Sequence, residues 1–305
     1  MFYSNKKQLG LITASIISTS VIAVTPHQAL AQNANAEHDI HIGEAPSHES
    51  AEDVFMRSIK TMLKPKEMRV DLNFSYRNQE EQQFVPVAGG TLQDNKVETY
   101  TTSIKGQIGL GGGSQLYISI PYHQTYKYTS FTQPNTGEIV SHNASNSDFG
   151  DTTIGFTQTV LKENIGIPHI SLDANATISD DVQAFGLGVN LVKSFDPVTL
   201  FGGISGQHAT RTLENSSEEI SNNSYSILLG YAFNINDTVT LGSKFDGSFT
   251  EETRTAAQSD NFGLEFSVTT MLTEKLSFEP YVRFGLDGSA SDVTMGVRTP
   301  FTISF

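Results

Sequence analysis

The stretch "MRVDLNFSY", Met68 to Tyr76, decides the fold. Its even positions carry Met68, Val70, Leu72, Phe74 and Tyr76, and its odd positions carry Arg69, Asp71, Asn73 and Ser75. A period of two puts successive side chains on opposite faces of a β-strand. One face is apolar. The other holds an arginine and an aspartate, charges that a packed soluble core does not accommodate unpaired.

The same alternation recurs along the chain. In "HISLDANATI" it sets Ile170, Leu172, Ala174, Ala176 and Ile178 against Ser171, Asp173, Asn175 and Thr177. It continues through "SYSILLGYAF", "VTLGSKFDGSF", "NFGLEFSVTT" and "LSFEPYVRFGL". About twelve strands are expected, at 68–78, 97–110, 114–128, 149–162, 168–178, 182–194, 197–210, 222–235, 238–250, 260–272, 275–287 and 293–305.

The connections alternate as well. "QEEQQFVPVAGGTLQDNK", "FTQPNTGEIVSHNASNS", "TLENSSEEISNN" and "EETRTAAQSD" are long, whereas "GGG", "KENIGIP", "SFDP", "NIND" and "LTEK" are short. Short turns at one end and long loops at the other belong to outer-membrane barrels, whose strands of ~10 residues show lipid an apolar face and the lumen a polar one. Lipid offers no hydrogen bonds, so a sheet spans it only by closing on itself. A soluble β-sandwich would share the period of two, but not the loop alternation. The expected fold is all-β: a transmembrane antiparallel up-and-down barrel over residues 65–305. Alternation places Arg69, Asp71, Lys105, Asp173, Lys244, Asp246, Glu265, Glu279, Arg283 and Arg298 on its inner face, as candidate lumen-lining residues.

Composition and the N-terminus agree with this address. Lys6 and Lys7 precede the mostly apolar "LGLITASIISTSVIAV", and Ala29 to Ala31 supply the small residues of a cleavage site, so residues 1–31 read as a secretory signal. The 305 residues contain no Cys, which excludes disulfides, thiolate metal sites, a thiol nucleophile and a lipid-attachment cysteine. A formal net charge of -14 argues against nucleic acid as a partner. Isolated His123, His169 and His208 give no nucleophile–base set, so no enzyme, catalytic residue or cofactor is expected. Residues 32–49 form a flexible polar leader; its His38, His41 and His48 are unpatterned, and no metal site is expected there.

Between leader and first strand, residues 50–64 read as a short amphipathic helix. Val54, Phe55, Ile59, Met62 and Leu63 recur at helical spacing, Arg57 and Lys60 fall on other faces, Ser50 and Asp53 form a capping box, and Pro65 ends the helix. Val54, Phe55, Arg57, Ile59, Lys60, Met62 and Leu63 are therefore candidate gating residues of a plug in the lumen. The bland alternative is a helix lying in the periplasm. At the other end, "VRTPFTISF" alternates up to the final aromatic. The last strand must close on the first, and Phe301 and Phe305 resemble the terminal signal by which barrel-assembly machinery recognises its clients.

"DVFMRSIKTMLKPKEMRVDLNFSY", Asp53 to Tyr76, resembles the start of the barrel in channels of the functional-amyloid (Fap-type) secretion family. That family is grouped with barrels known as transporters of a phenol-degradation (MetA) pathway. "DFGDTTIG", Asp148 to Gly155, with "IPHISLDANATISD" after it, is similar to a Gly-Asp strand start and the following strand of the broader group. The resemblance implies a twelve-stranded outer-membrane barrel, a helical plug at Val54 to Leu63 and a homotrimer. The secretion channels also carry a long periplasmic coiled coil, whereas here residues 32–49 alone separate the signal from the helix.

The function expected is an outer-membrane channel gated by an N-terminal plug, with lipid and assembly machinery as partners. Its cargo is an exported polypeptide, such as an amyloid-type subunit, or a small solute. The alternatives are an uptake pore for aromatic compounds and a non-conducting barrel with adhesive or structural outer loops.

Overall fold

A computed structural model of the chain describes residues 62–85, 91–132, 137, 139–179, 182–212, 219–251, 259–287 and 291–304. Segments 1–31 and 32–49, the expected helix up to residue 61, and Phe305 lie outside the described residues.

Thirteen strand segments make one antiparallel sheet. They are β1 (Glu67–Val85), β2 (Thr91–Gly111), β3 (Ser114–Thr132), β4 (Ile139–Phe149), β5 (Thr152–Leu161), β6 (His169–Ile178) and β7 (Val182–Phe195). The set continues with β8 (Val198–Thr212), β9 (Glu219–Asn236), β10 (Val239–Thr250), β11 (Ser259–Thr273), β12 (Leu276–Gly285) and β13 (Val293–Ser304). Both β4 and β5 pair with β3, β4 along Tyr122–Thr132 and β5 along Ser114–Ser119. They are two parts of one stave interrupted at Gly150 and Asp151, so thirteen segments make twelve staves. The ring closes because β1 pairs with β2 on one side and with β13 on the other, Glu67 opposite Ser304 and Asn78 opposite Val293.

The two faces of the wall are inverted relative to a soluble protein. Leu72, Ile104, Ile204 and Leu229 point outward and are exposed, Ile104 by 52%. Asp173, Glu265, Asn175, Thr177 and Thr240 point inward and are buried, Glu265 to 4%. An exposed apolar band around a closed sheet is stable where the surrounding medium is itself apolar. Outward Tyr76, Tyr100 and Tyr126 form a row across β1, β2 and β3, with ring centroids 5.1 and 6.0 Å apart. Amphipathic rings of this kind suit a membrane–water boundary.

Tight turns gather at the opposite end. Gly112–Gly113, Asp196–Pro197, Asp237–Thr238 and Glu274–Lys275 each join a hairpin there. Gly111, Gly112 and Gly113 have φ of 91°, 64° and 79°, a region that glycine enters without a Cβ penalty. Both ends of the barrel lie at this rim, since Glu67 faces Ser304. This is the periplasmic side in the architecture of short inner turns and long outer loops.

The first four staves are longer than alternation indicated. β1 runs on to Val85 rather than stopping at 78, and β2 starts at Thr91 rather than 97. β4, 11 residues long, takes Ile139 to Ser147 out of what reads as the long loop "FTQPNTGEIVSHNASNS". Above the membrane both faces of a strand meet water, so the strand continues while its apolar–polar period disappears. These extensions form a raised wing on the outer side. Past Asn78, β1 pairs with β2 alone, apart from the Glu80 N–H bonded to the Asp292 carboxylate at 2.9 Å. β4 is exposed along its whole length.

Candidate functional site: the inner wall and the periplasmic mouth

The ten charged positions Arg69, Asp71, Lys105, Asp173, Lys244, Asp246, Glu265, Glu279, Arg283 and Arg298 are buried or partly buried on the wall, and the barrel gathers them into networks. Register sets Lys244 of β10 opposite Glu265 of β11, Glu265 opposite Arg283 of β12, and Glu279 of β12 opposite Arg298 of β13. Arg298 Nη1 donates to Glu279 Oε1 at 2.5 Å and Nη2 to Glu265 Oε2 at 2.9 Å, while Lys244 Nζ lies 3.1 Å from the same Glu265 oxygen. The Arg298 guanidinium also stacks on Tyr281, 3.8 Å from the ring centre, and the Tyr281 hydroxyl donates to Asn73 across the seam. Beside this group Arg283 donates Nε and Nη2 to Asp246 at 2.7–3.2 Å, and Nη2 to Asn261. A Cβ on Gly263 would stand 2.2 Å from Arg283 Cζ. Glycine at that position lets the guanidinium lie flat on the strand.

A second network occupies the adjoining part of the wall, from β1 to β6. Arg69 Nε donates to Asp71 at 2.5 Å, and Gln107 Nε2 donates to the other Asp71 oxygen at 2.6 Å. Lys105 Nζ sits 4.4 Å from the centre of the Tyr117 ring. Tyr117 OH, Thr157 Oγ1 and Asn175 Nδ2 all donate to Asp173, at 3.0, 2.9 and 3.2 Å. Partly buried charges need such partners, since an unpaired one carries a desolvation cost of several kcal/mol. Charge-only reasoning missed Gln107, Tyr117, Thr157, Asn175 and Tyr281, and the charged set also left out Arg77 of β1. Each has the inward parity of its strand, and that was the available signal.

At the periplasmic mouth the chain turns inward ahead of β1. Met62 and Leu63 are buried, at 1% and 4%, and the Leu63 N–H donates to Gln115 Oε1 on the inner face of β3 at 3.3 Å. Lys66 has φ of 66°, and the Glu67 N–H closes the turn on Lys64 O at 3.1 Å. A Cβ on Gly109 of β2 would be 2.2 Å from Lys64 O and 2.7 Å from Leu63 O, so the segment rests directly on strand backbone. Of the plug candidates, Met62 and Leu63 are thus placed inside the rim. Val54, Phe55, Arg57, Ile59 and Lys60 lie outside the described residues.

On the outer face Phe301 is 41% exposed, paired with Val70 on β1 and Leu276 on β12 near the periplasmic rim. His123 Nδ1 bonds Thr101 Oγ1 at 2.9 Å and His208 Nδ1 bonds Asn223 Oδ1 at 2.9 Å. Among the described residues no group of three His, Asp or Glu is placed to hold a metal ion.

A closed twelve-stave sheet with an apolar exterior, a charged interior and both ends at the tight-turn rim is a β-barrel of the bacterial outer membrane. No known family profile matches the sequence. The fold is similar to the crystal structure of an outer membrane channel from Pseudomonas putida F1, with a TM-score of 0.55 and 10% identity over 79% of this chain and 97% of that one. More distant likenesses are the NanC porin (TM-score 0.49, 12% identity, 77% and 99% covered) and the translocator domain of the autotransporter NalP from Neisseria meningitidis (0.46, 8%, 80% and 90%).

Proposed function

We propose that the protein is an outer-membrane channel for small polar or charged solutes, closed from the periplasmic side by the segment ahead of β1, with residues 50–64 as the plug. The observation that carries this reading is the path of the chain at the mouth. Met62 and Leu63 are buried inside the rim, with the Leu63 N–H bonded to Gln115 and the Leu63 and Lys64 carbonyls seated on Gly109, so the described chain ahead of β1 begins within the barrel.

Barrel size supports it. Eight staves are filled by their own side chains and sixteen or more leave an open aqueous channel, so twelve leave a bore that one helix of ~10 Å diameter can stop. Most inner charges are matched along the wall itself, by ion pairs such as Arg298–Glu279 and Arg69–Asp71 or by hydrogen bonds such as those to Asp173, which leaves the axis to the plug or the solute. A plug that opens must be held by only a few kcal/mol. One hydrogen bond and two apolar side chains at the mouth are of that order. Export of an extended polypeptide through the same bore is the alternative favoured by the resemblance of Asp53–Tyr76 to secretion channels. The reading assigns no enzymatic activity and no cofactor.

Planar-bilayer conductance tests it, comparing the mature protein with a variant lacking residues 32–64. The deletion should leave a folded barrel with higher or steadier conductance, and Phe55→Asp should act in the same direction. Equal conductance would remove the plug from the mechanism, and silence of both proteins would leave a non-conducting barrel.

A further inference from the structure

Arg77 differs from the other inward-facing arginines of the wall. It lies on β1 between Thr294 of β13 and Thr99 of β2. Thr294 in turn faces Arg283 of β12, and Thr99 faces Thr125 of β3 with their hydroxyls 3.4 Å apart. Five adjoining strands therefore present Arg283, Thr294, Arg77, Thr99 and Thr125 as one band of the inner wall. His123 lies two residues from Thr125, bonded to Thr101.

Arg283 in this band is matched by Asp246 and Asn261. Arg77 is partly buried and makes no hydrogen bond or ion pair with any described residue. On the same band the other cationic or ionisable side chains are Arg283, two strands away through Thr294, and His123 on β3, two strands away on the other side. A guanidinium withdrawn from water beside other cations carries a desolvation and repulsion cost that a counter-ion removes. Among the described residues, those opposite Arg77 on both neighbouring strands are threonines, Thr99 and Thr294.

We infer that Arg77, flanked by Thr99 and Thr294, is a binding position for small carboxylate anions in the outer half of the bore. A guanidinium presents two parallel N–H donors that match a carboxylate in the bidentate mode, and threonine hydroxyls on either side can add donors in the same band. Because Arg77 lies at the upper end of the β1–β13 ladder, an anion arriving from outside meets it before the Arg298–Glu279 network. The inference rests on the channel reading for the anion's route of arrival, but the binding position itself does not.

Benzoate is the probe. Its binding to the folded protein in detergent can be followed by saturation-transfer NMR for wild type, R77Q and R77K, with K96Q on the wing as a control and heat-modifiable gel migration as the check on folding. R77Q should bind benzoate roughly tenfold more weakly or worse, R77K should fall between, and K96Q should match wild type. In bilayers R77Q should also lower the preference for benzoate and chloride over potassium. Wild-type binding that is absent, or that both R77Q and R77K retain in full, overturns the inference. Should R77Q fail to fold, R77K decides: it keeps the charge and loses the fork, so unchanged binding in R77K counts against a bidentate site. A wild-type protein that binds benzoate through Arg77 without conducting would sink the channel reading alone, whereas a conducting one indifferent to Arg77 would sink this inference alone.

Discussion

Arg298 and Glu279 face each other on neighbouring strands with 2.5 Å between Nη1 and Oε1, and the same guanidinium reaches Glu265, one strand further on, at 2.9 Å. The closing strand is thereby tied to both strands before it. Arg69 and Arg298 both point inward at the seam, yet they face Thr302 and Asn73 respectively, and each has its own carboxylate. Like charges at the closure are separated by register.

Arg298→Ala leaves Glu279 and half of the Glu265 pairing uncompensated in a partly buried wall. Removing one partner of such a group costs about 3–5 kcal/mol. Urea unfolding of the barrel in detergent should show a loss of that order, and Arg298→Ala combined with Glu279→Ala should recover part of it. Strictly additive effects would mean that the pair does not act as a unit.

Ser103 and Ile104 are adjacent on β2, and their side chains lie on opposite faces. Ile104 is exposed to the surrounding medium, whereas Ser103 points inward beside Asn73. Arginine on the lipid face near mid-membrane costs about 2–4 kcal/mol, while lumen positions are tolerant. Ile104→Arg should therefore lower stability in lipid by that amount and Ser103→Arg should change it little, as read from urea titrations in vesicles. The reverse order would invert the faces.

Gly109 is the seat of the entering segment, where a Cβ would collide with Lys64 O and Leu63 O. Gly109→Val should lift residues 62–64 away from the wall without opening the sheet. The chain has no cysteine of its own, so the paired substitutions Leu63→Cys and Gln115→Cys report the contact cleanly. Mild oxidation or a short bifunctional reagent should join them in the native barrel, and Gly109→Val should cut the yield severalfold. Full yield in the Gly109→Val background would show that the seat is not needed.

The wing should be separable from the barrel. Lys127 pairs with Ala144 above the outer aromatic row, and β4 is exposed throughout. Replacing residues 127–144 by a two-residue Asn-Gly turn, which suits a hairpin, should preserve heat-modifiable migration and insertion into vesicles. Loss of the folded form would mean that the upper strands are needed for assembly.

Much of this molecule is written locally. Alternation around Arg69, Asp173 or Glu265 shows which face each side chain takes, because a period of two is a property of a few consecutive residues set between lipid and water. The twelve staves and their tight turns follow from the sequence for that reason. It did not show the upper halves of β1 to β4, where water wets both faces and erases the period, nor the break at Gly150 and Asp151. Nor did it assign partners to charges. Arg298 meets Glu265 and not Asp71, Tyr117 rests on Asp173, and Arg77 is left beside Arg283 and His123. Those pairings depend on the register of strands far apart in the chain and on how the ring closes, which the tertiary structure alone determines.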